Sequence, residues 1–410
     1  MTDKAKIKMI YDEVMEKILG VHISCFKGMD KPLFLISEQY PGLWMEHTYD
    51  SVMFARLEPD YINLAENAIN LFIDRQTEEG QLPYNVMDGN KFPGADPESL
   101  VGYSHIQECV SFLTLALEVY EMNKDKAFLE KVYTAGCKWN AWFRKYRMTT
   151  GRGLIEMFYG YDTGHDNSGR LAGISCPGNY AINGVKQNAS VLPPDDGITP
   201  ILAVDMNCNF YADEVALSKM AKLLGKDDES DSWASSAAKI KENIFKYCYD
   251  EKENFFYDVD RFSEKRKYKS STIFHLFLEK VLDKEKDAEL IDRIYKEHIK
   301  NPDEFWTPYP FPSMAVNDPS VKNHPDFNCW GYYTQGLIVL RCTRWMDHYG
   351  WSEDLDYILK QWVKTWTEHF ETIKMAQEID PITGVPTKSS EWYSSCMLAY
   401  VYAVRRLNLI

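Results

Sequence analysis

The sequence predicts an all-α fold, a closed ring of about twelve paired helices. One observation is that helical periodicity recurs along nearly the whole chain, whereas strand-like alternation is confined to two short candidates, Val185 to Val191 and Phe255 to Asp258. Another is that the connections alternate in length. Asn123-Lys124-Asp125, Gly225-Lys226-Asp227 and Gly350-Trp351-Ser352 are tight, while 80–101, 149–203, 301–328 and 374–390 are long and rich in Gly, Pro and aromatics. Helical hairpins set in a ring would place short turns on one face and long working loops on the other. A third is that no low-complexity linker divides the 410 residues, of which 45% are hydrophobic. One domain spanning 1–410 is therefore expected, with 149–203 lying across its open face.

The elements follow in order. Apolar spacing predicts helices over 4–18, 59–78, 104–122, 127–147, 204–224, 229–247, 270–282, 286–299, 331–349, 352–373 and 391–407. In 59–78 the buried stripe is Ile62, Ala65, Ile69 and Phe72; in 104–122 it is Val110, Leu113, Leu117 and Tyr120.

Composition limits the function. A net charge of −15 argues against nucleic acid and anionic membrane as partners. Nine scattered cysteines without a Cys-x-x-Cys pair fit reduced thiols. The N-terminus lacks the apolar core of a signal peptide, and no apolar run reaches membrane-spanning length. A soluble, cytoplasmic protein is expected, with its oligomeric state, homo-oligomer included, left open. Aromatics make up 14% of the chain, and many stand beside Gly, Pro, Asp or Asn, which suits a cleft that stacks on sugar faces.

Five segments are chemically loaded. They are Trp44 to Ser51, Tyr103 to Glu108 and Gly164-His165-Asp166-Asn167-Ser168-Gly169-Arg170. The others are Trp306 to Phe311 together with Asn328 to Tyr333, and Gln377 to Gly384 followed by Ser389 to Tyr393. The third has no apolar residue between its first glycine and its arginine, so it reads as an irregular polar loop. Two carboxylates facing each other across an aromatic cleft are what glycoside hydrolysis needs, one protonated and one ionised. Asp166 and Glu378 are the candidates, on loops from opposite halves of the ring. No phosphate-binding glycine loop, nucleophile elbow or His-Glu-x-x-His is present, so neither a cofactor nor a metal is expected.

Taken in order, these segments resemble the trehalase-like (α/α)6 glycosidases of glycoside hydrolase family 63 and its trehalase relatives. Tyr49-Asp50-Ser51 resembles the Trp-Asp motif of the first loop. Gln107 sits where the family has a pocket-lining Gln. The loop Gly164 to Arg170 resembles the motif carrying the general acid. Val204-Asp205-Met206-Asn207 resembles a helix start, Glu378 to Gly384 the loop carrying the general base, and Glu391 to Ser394 a further wall segment. The Trp-Arg-Gly-Pro-x-Trp motif is not intact at Trp330-Gly331-Tyr332-Tyr333.

The resemblance implies an (α/α)6 toroid and inverting hydrolysis of a small α-glycoside, with an α-glucoside favoured. Asp166 would be the general acid and Glu378 the general base, roughly 6.5–9.5 Å apart. Tyr49, Asp50, His105, Gln107, Asn167, Arg170, Trp330 and Trp392 would bind the substrate. Asp50 and Gln107 would hold hydroxyls, Trp330 and Trp392 would form stacking walls, and Arg170 would contact the sugar or an anionic aglycone. Two other classes stay open: a helical-toroid sugar isomerase or epimerase working through His105 and His165, and a non-catalytic sugar-binding relative.

Overall fold

The computed structural model describes residues 3–174, 188–193, 196–321 and 330–410. Among these, twelve α-helices follow one another: α1 (Asp3–Val21), α2 (Thr48–Leu57), α3 (Ile62–Ile73), α4 (Phe112–Asn123), α5 (Lys126–Tyr146) and α6 (Val204–Leu223), then α7 (Asp227–Cys248), α8 (His275–Leu278), α9 (Ala288–Ile294), α10 (Gly336–Trp345), α11 (Ser352–His369) and α12 (Ser394–Arg406). The even-numbered helices each pack on the next, and α12 packs back on α2, so the inner ring closes. The odd-numbered helices form an outer layer; α3, α5, α7 and α11 pack on the inner helix just before them, and α1 packs on α12. This is the (α/α)6 toroid.

The sequence explains which helices go outside. In α11, Leu355, Ile358, Leu359, Trp362, Val363 and Trp366 are buried at three- and four-residue steps, the stripe of a helix with one wet face. In α2, every residue from Thr48 to Ala55 is buried, so no single stripe exists. That is why periodicity finds α11 and passes over α2. The tight turns are as expected. Lys124 takes the left-handed conformation (φ 57°) that ends α4, and Asp125 caps α5 by accepting from the Ala127 and Phe128 amides.

Several boundaries differ from expectation. The helix expected over 104–122 begins only at Phe112, because Ser111 accepts from the Thr114 amide and caps it there. Residues 103–110 are consequently loop. The helix expected over 270–282 shrinks to a 3-10 turn, Ser271–Phe274, and α8. The strand expected from Phe255 is only Phe255–Phe256, paired with Tyr249–Asp250. Residues 185–187 of the other strand candidate lie outside the described residues, and 188–191 form a turn. The seven described cysteines are free, and among the described residues no helix is long and apolar enough to cross a membrane.

Candidate active site

The long connections converge on a cavity of about 390 Å³ at one end of the ring. Its wall is drawn from five of them: Tyr40, Glu46 and His47 before α2; Tyr84, His105 and Gln107 before α4; Asp166 and Asn167 before α6; Trp330 before α10; and Gln377, Ser390 and Tyr393 before α12. A cavity of this size, aromatic with a few converging polar groups, is the usual form of a small-ligand site.

The Asp166 loop is held from behind. Asp162, fully buried, accepts from the Ile106, Phe158 and Tyr159 amides and from Arg147, with Nη1 at 2.6 Å. Arg170 reaches inward and bonds Asp205 and Asp258, each at 2.6 Å. Gly164 sits at φ 70°, and a Cβ there would lie 3.1 Å from Cys109 Sγ and 3.3 Å from Glu46 Oε2, so only glycine fits both the turn and the close approach. Between these anchors Asp166 and Asn167 face the cavity. The Asp166 side chain is exposed to the cavity, with protein packed around its base. Burial, with the Glu46 charge adding to it, lifts its pKa to about 7.

Of the ten candidate residues, the structure brings five to the cavity wall: Asp166, Asn167, His105, Gln107 and Trp330. His105 stacks on Tyr84 with ring centroids 3.7 Å apart, and burial lowers its pKa to about 4, so it is a neutral imidazole. Gln107 accepts from the Glu46 amide at 3.2 Å. Trp330 stacks on His165, centroids 4.1 Å apart.

The structure places the other five off the cavity wall, each for a physical reason. Arg170 is 1% exposed and spent on two buried carboxylates, so it does not reach a ligand in the cavity. Asp50 is 1% exposed and accepts from Ser394 and Ser395, tying α2 to α12. Tyr49 is buried under the Arg341 and Arg344 guanidinium groups. Trp392 turns away to pack edge-on against Phe370, with the Lys17 ammonium over its ring.

Glu378 is the fifth. It lies in a two-residue strand, Glu378–Ile379, paired antiparallel with Thr334–Gln335, with Gln335 directly opposite. Gln335 Nε2 donates to its Oε2 at 2.7 Å and the Thr387 hydroxyl to its Oε1 at 3.3 Å. The residue is 0% exposed, and burial lifts its pKa to about 7. Adjacent strand residues point to opposite sides, and the residue on the cavity side is Gln377.

Sequence reasoning passed over several wall residues. Glu46 lies within the loaded segment Trp44 to Ser51; Arg341 Nη2 donates to its Oε1 at 2.8 Å, and burial raises its pKa while Arg341 opposes the rise. His47 meets the Tyr393 hydroxyl at 2.7 Å, and burial holds its pKa near 3. Tyr40 and Tyr84 stand in segments with no motif to single them out.

Comparison with known proteins agrees with this architecture. A comparison with curated protein sequences finds no match. The structure of glycoside hydrolase family 63 mannosylglycerate hydrolase from Thermus thermophilus in complex with glucose superposes with a TM-score of 0.72 at 15% identity, over 96% of this chain and 99% of that one. The same enzyme in complex with Tris and D-glycerate gives 0.71 at 15%, over 97% and 99%. Neutral trehalase Nth1 from Saccharomyces cerevisiae gives 0.66 at 13%, over 92% of this chain and 74% of that one. The family model of the mannosylglycerate hydrolase MGH1-like glycoside hydrolase domain matches residues 41–334, the part that supplies the Asp166 loop and most of the cavity wall. The chain therefore belongs to the MGH1-like glycoside hydrolase family, and it is a glycosidase.

Proposed function

We propose that the protein hydrolyses a small α-glycoside, an α-glucoside in the first instance, with inversion at the anomeric carbon. The observation that carries this is the placement of the Asp166 carboxyl: it is exposed on the cavity wall, and the protein packed around it and the nearby Glu46 charge push its pKa up to about 7. A general acid at neutral pH needs both properties. Asp166 gives its proton to the glycosidic oxygen as the bond to the anomeric carbon breaks. Water enters from the wall opposite, built by the connection before α12.

Tyr84, Tyr40 and Trp330 supply faces for the sugar, and Gln107 and Asn167 supply hydroxyl partners. Among the described residues the wall carries the Glu46 and Asp166 carboxyls and no lysine or arginine. Relatives solved with glucose and with D-glycerate support a ligand of one sugar and one small group. The isomerase reading is the weaker one, because His165 is 2% exposed, behind Trp330, leaving His105 as the single member of the proposed pair on the wall.

The test is to follow α-glucosides and α-mannosides by NMR. Early product in the β configuration supports inversion; early α product, or interconversion of free sugars without bond cleavage, overturns the reading.

A further inference from the structure

We infer that Gln377, not a carboxylate, receives the incoming nucleophile in this site, so that Asp166 is the single proton-transferring acid of the reaction. The inference rests on the function proposed above and concerns how water is handled there.

Three placements carry it. First, α6 and α12 stand opposite each other in the closed inner ring, and the connections leading into them supply Asp166 and Gln377 to the two sides of one cavity. Second, Gln377 is fixed. Its backbone amide donates to Ser390 O at 3.0 Å, and its backbone carbonyl accepts from the Gly336 amide at 3.1 Å and the Cys396 thiol at 3.4 Å. Rotating the strand to exchange Gln377 for Glu378 would break these bonds and strip Glu378 of Gln335 and Thr387. Third, the remaining wall carboxyl among the described residues, Glu46, is committed elsewhere. One oxygen is bonded to Arg341 and the other lies against Gly164, on the Asp166 side of the cavity rather than across from it.

A side-chain amide orients water through its carbonyl oxygen and NH2 group but does not accept a proton at neutral pH. The Asp166 proton goes to the leaving oxygen, and the bond between that oxygen and the anomeric carbon breaks. Water held by Gln377 forms the new bond, and its excess proton passes to solvent. Bond breaking must therefore run ahead of nucleophile attack, and a small anion that needs no deprotonation should compete well with water.

The experiment uses the full-length protein with α-glucosyl and α-mannosyl fluoride, whose fluoride leaves without acid assistance, with and without sodium azide. The wild type is expected to accelerate with azide and to release the β-glycosyl azide. Gln377→Glu, close in shape, is expected to hydrolyse the fluoride faster in water, by on the order of 10²-fold, the value of a positioned base, and to lose its azide acceleration. Gln377→Ala should keep the azide product.

Wild-type turnover indifferent to azide, with Gln377→Glu slower at an unchanged melting temperature, would overturn the inference while leaving the proposed function in place. So would loss of wild-type turnover in Glu46→Gln with recovery by azide, which would make Glu46 the base. No turnover of either fluoride by the wild type, with azide or without, would instead sink the α-glycoside reading and the inference with it.

Discussion

Asp166 and Glu378 have much in common. Each sits on a long connection at the same end of the ring, and burial lifts the pKa of each to about 7. They differ in access. Asp166 opens on the cavity, whereas Glu378 is sealed behind it with both oxygens hydrogen-bonded inside the protein. A raised pKa alone does not say whether substrate can reach the carboxyl. Geometry decides between a working acid and a structural one.

Four measurements probe this difference in access. Asp166→Asn should lower kcat on glycosides with poor leaving groups by roughly 10²–10⁴-fold, with far less loss on glycosyl fluorides. Steady-state kinetics on both substrate types checks this, and an equal loss on both would argue against an acid role. Arg170→Met leaves Asp205 and Asp258 buried without their shared cation. A loss of about 3–5 kcal/mol in stability is expected from uncompensated buried charge, measured by urea unfolding, together with weaker binding as the Asp166 loop loosens.

The proposed general acid sets a pH dependence. If Asp166 acts protonated, with its pKa raised to about 7, kcat/KM should be flat below that pH and fall about tenfold per unit above it. Asp166→Asn should abolish that limb.

Glu378 should give the smallest activity change and a different signature. Its folded pKa, about 7, lies above the ordinary 4.5, so the folded state favours its neutral form. The stability this contributes is complete below about pH 4.5 and is lost as pH rises through 7. Glu378→Gln should therefore keep kcat within about threefold and be more stable than the wild type at pH 8, by roughly 1–3 kcal/mol, read from thermal unfolding at that pH. A hundredfold loss of kcat would restore Glu378 as the base.

The helices of the outer layer are legible because a helix with one wet face writes its stripe into the sequence, as Leu355 to Trp366 do. Thr48 to Ala55 in α2 are not, because burial on every side erases the stripe. Ser111 can be read as a cap, but its apolar successors hide it. At the site, Asp166 is legible because glycines and polar residues exclude a core element. The choice between Gln377 and Glu378 is not, since a one-residue register in a two-residue strand is set by its partner Thr334–Gln335, far away in the chain. Arg170 and Asp50 look like ligand groups because charge in a motif is visible in sequence, while the buried partner that consumes it is not.

The bonds from Asp50 to Ser394 and Ser395 join positions more than 340 residues apart. They fasten the first inner helix to the last, so no N-terminal portion of the chain can complete the ring. During vectorial synthesis the wall that carries Asp166 emerges long before Gln377, and both must wait for α12 before they face each other. Loop-closure entropy on that scale comes due before the contacts that offset it. A chain truncated before the final helix is therefore expected to lose the closure of the ring and the wall that carries Gln377, while its earlier helical hairpins keep their local contacts.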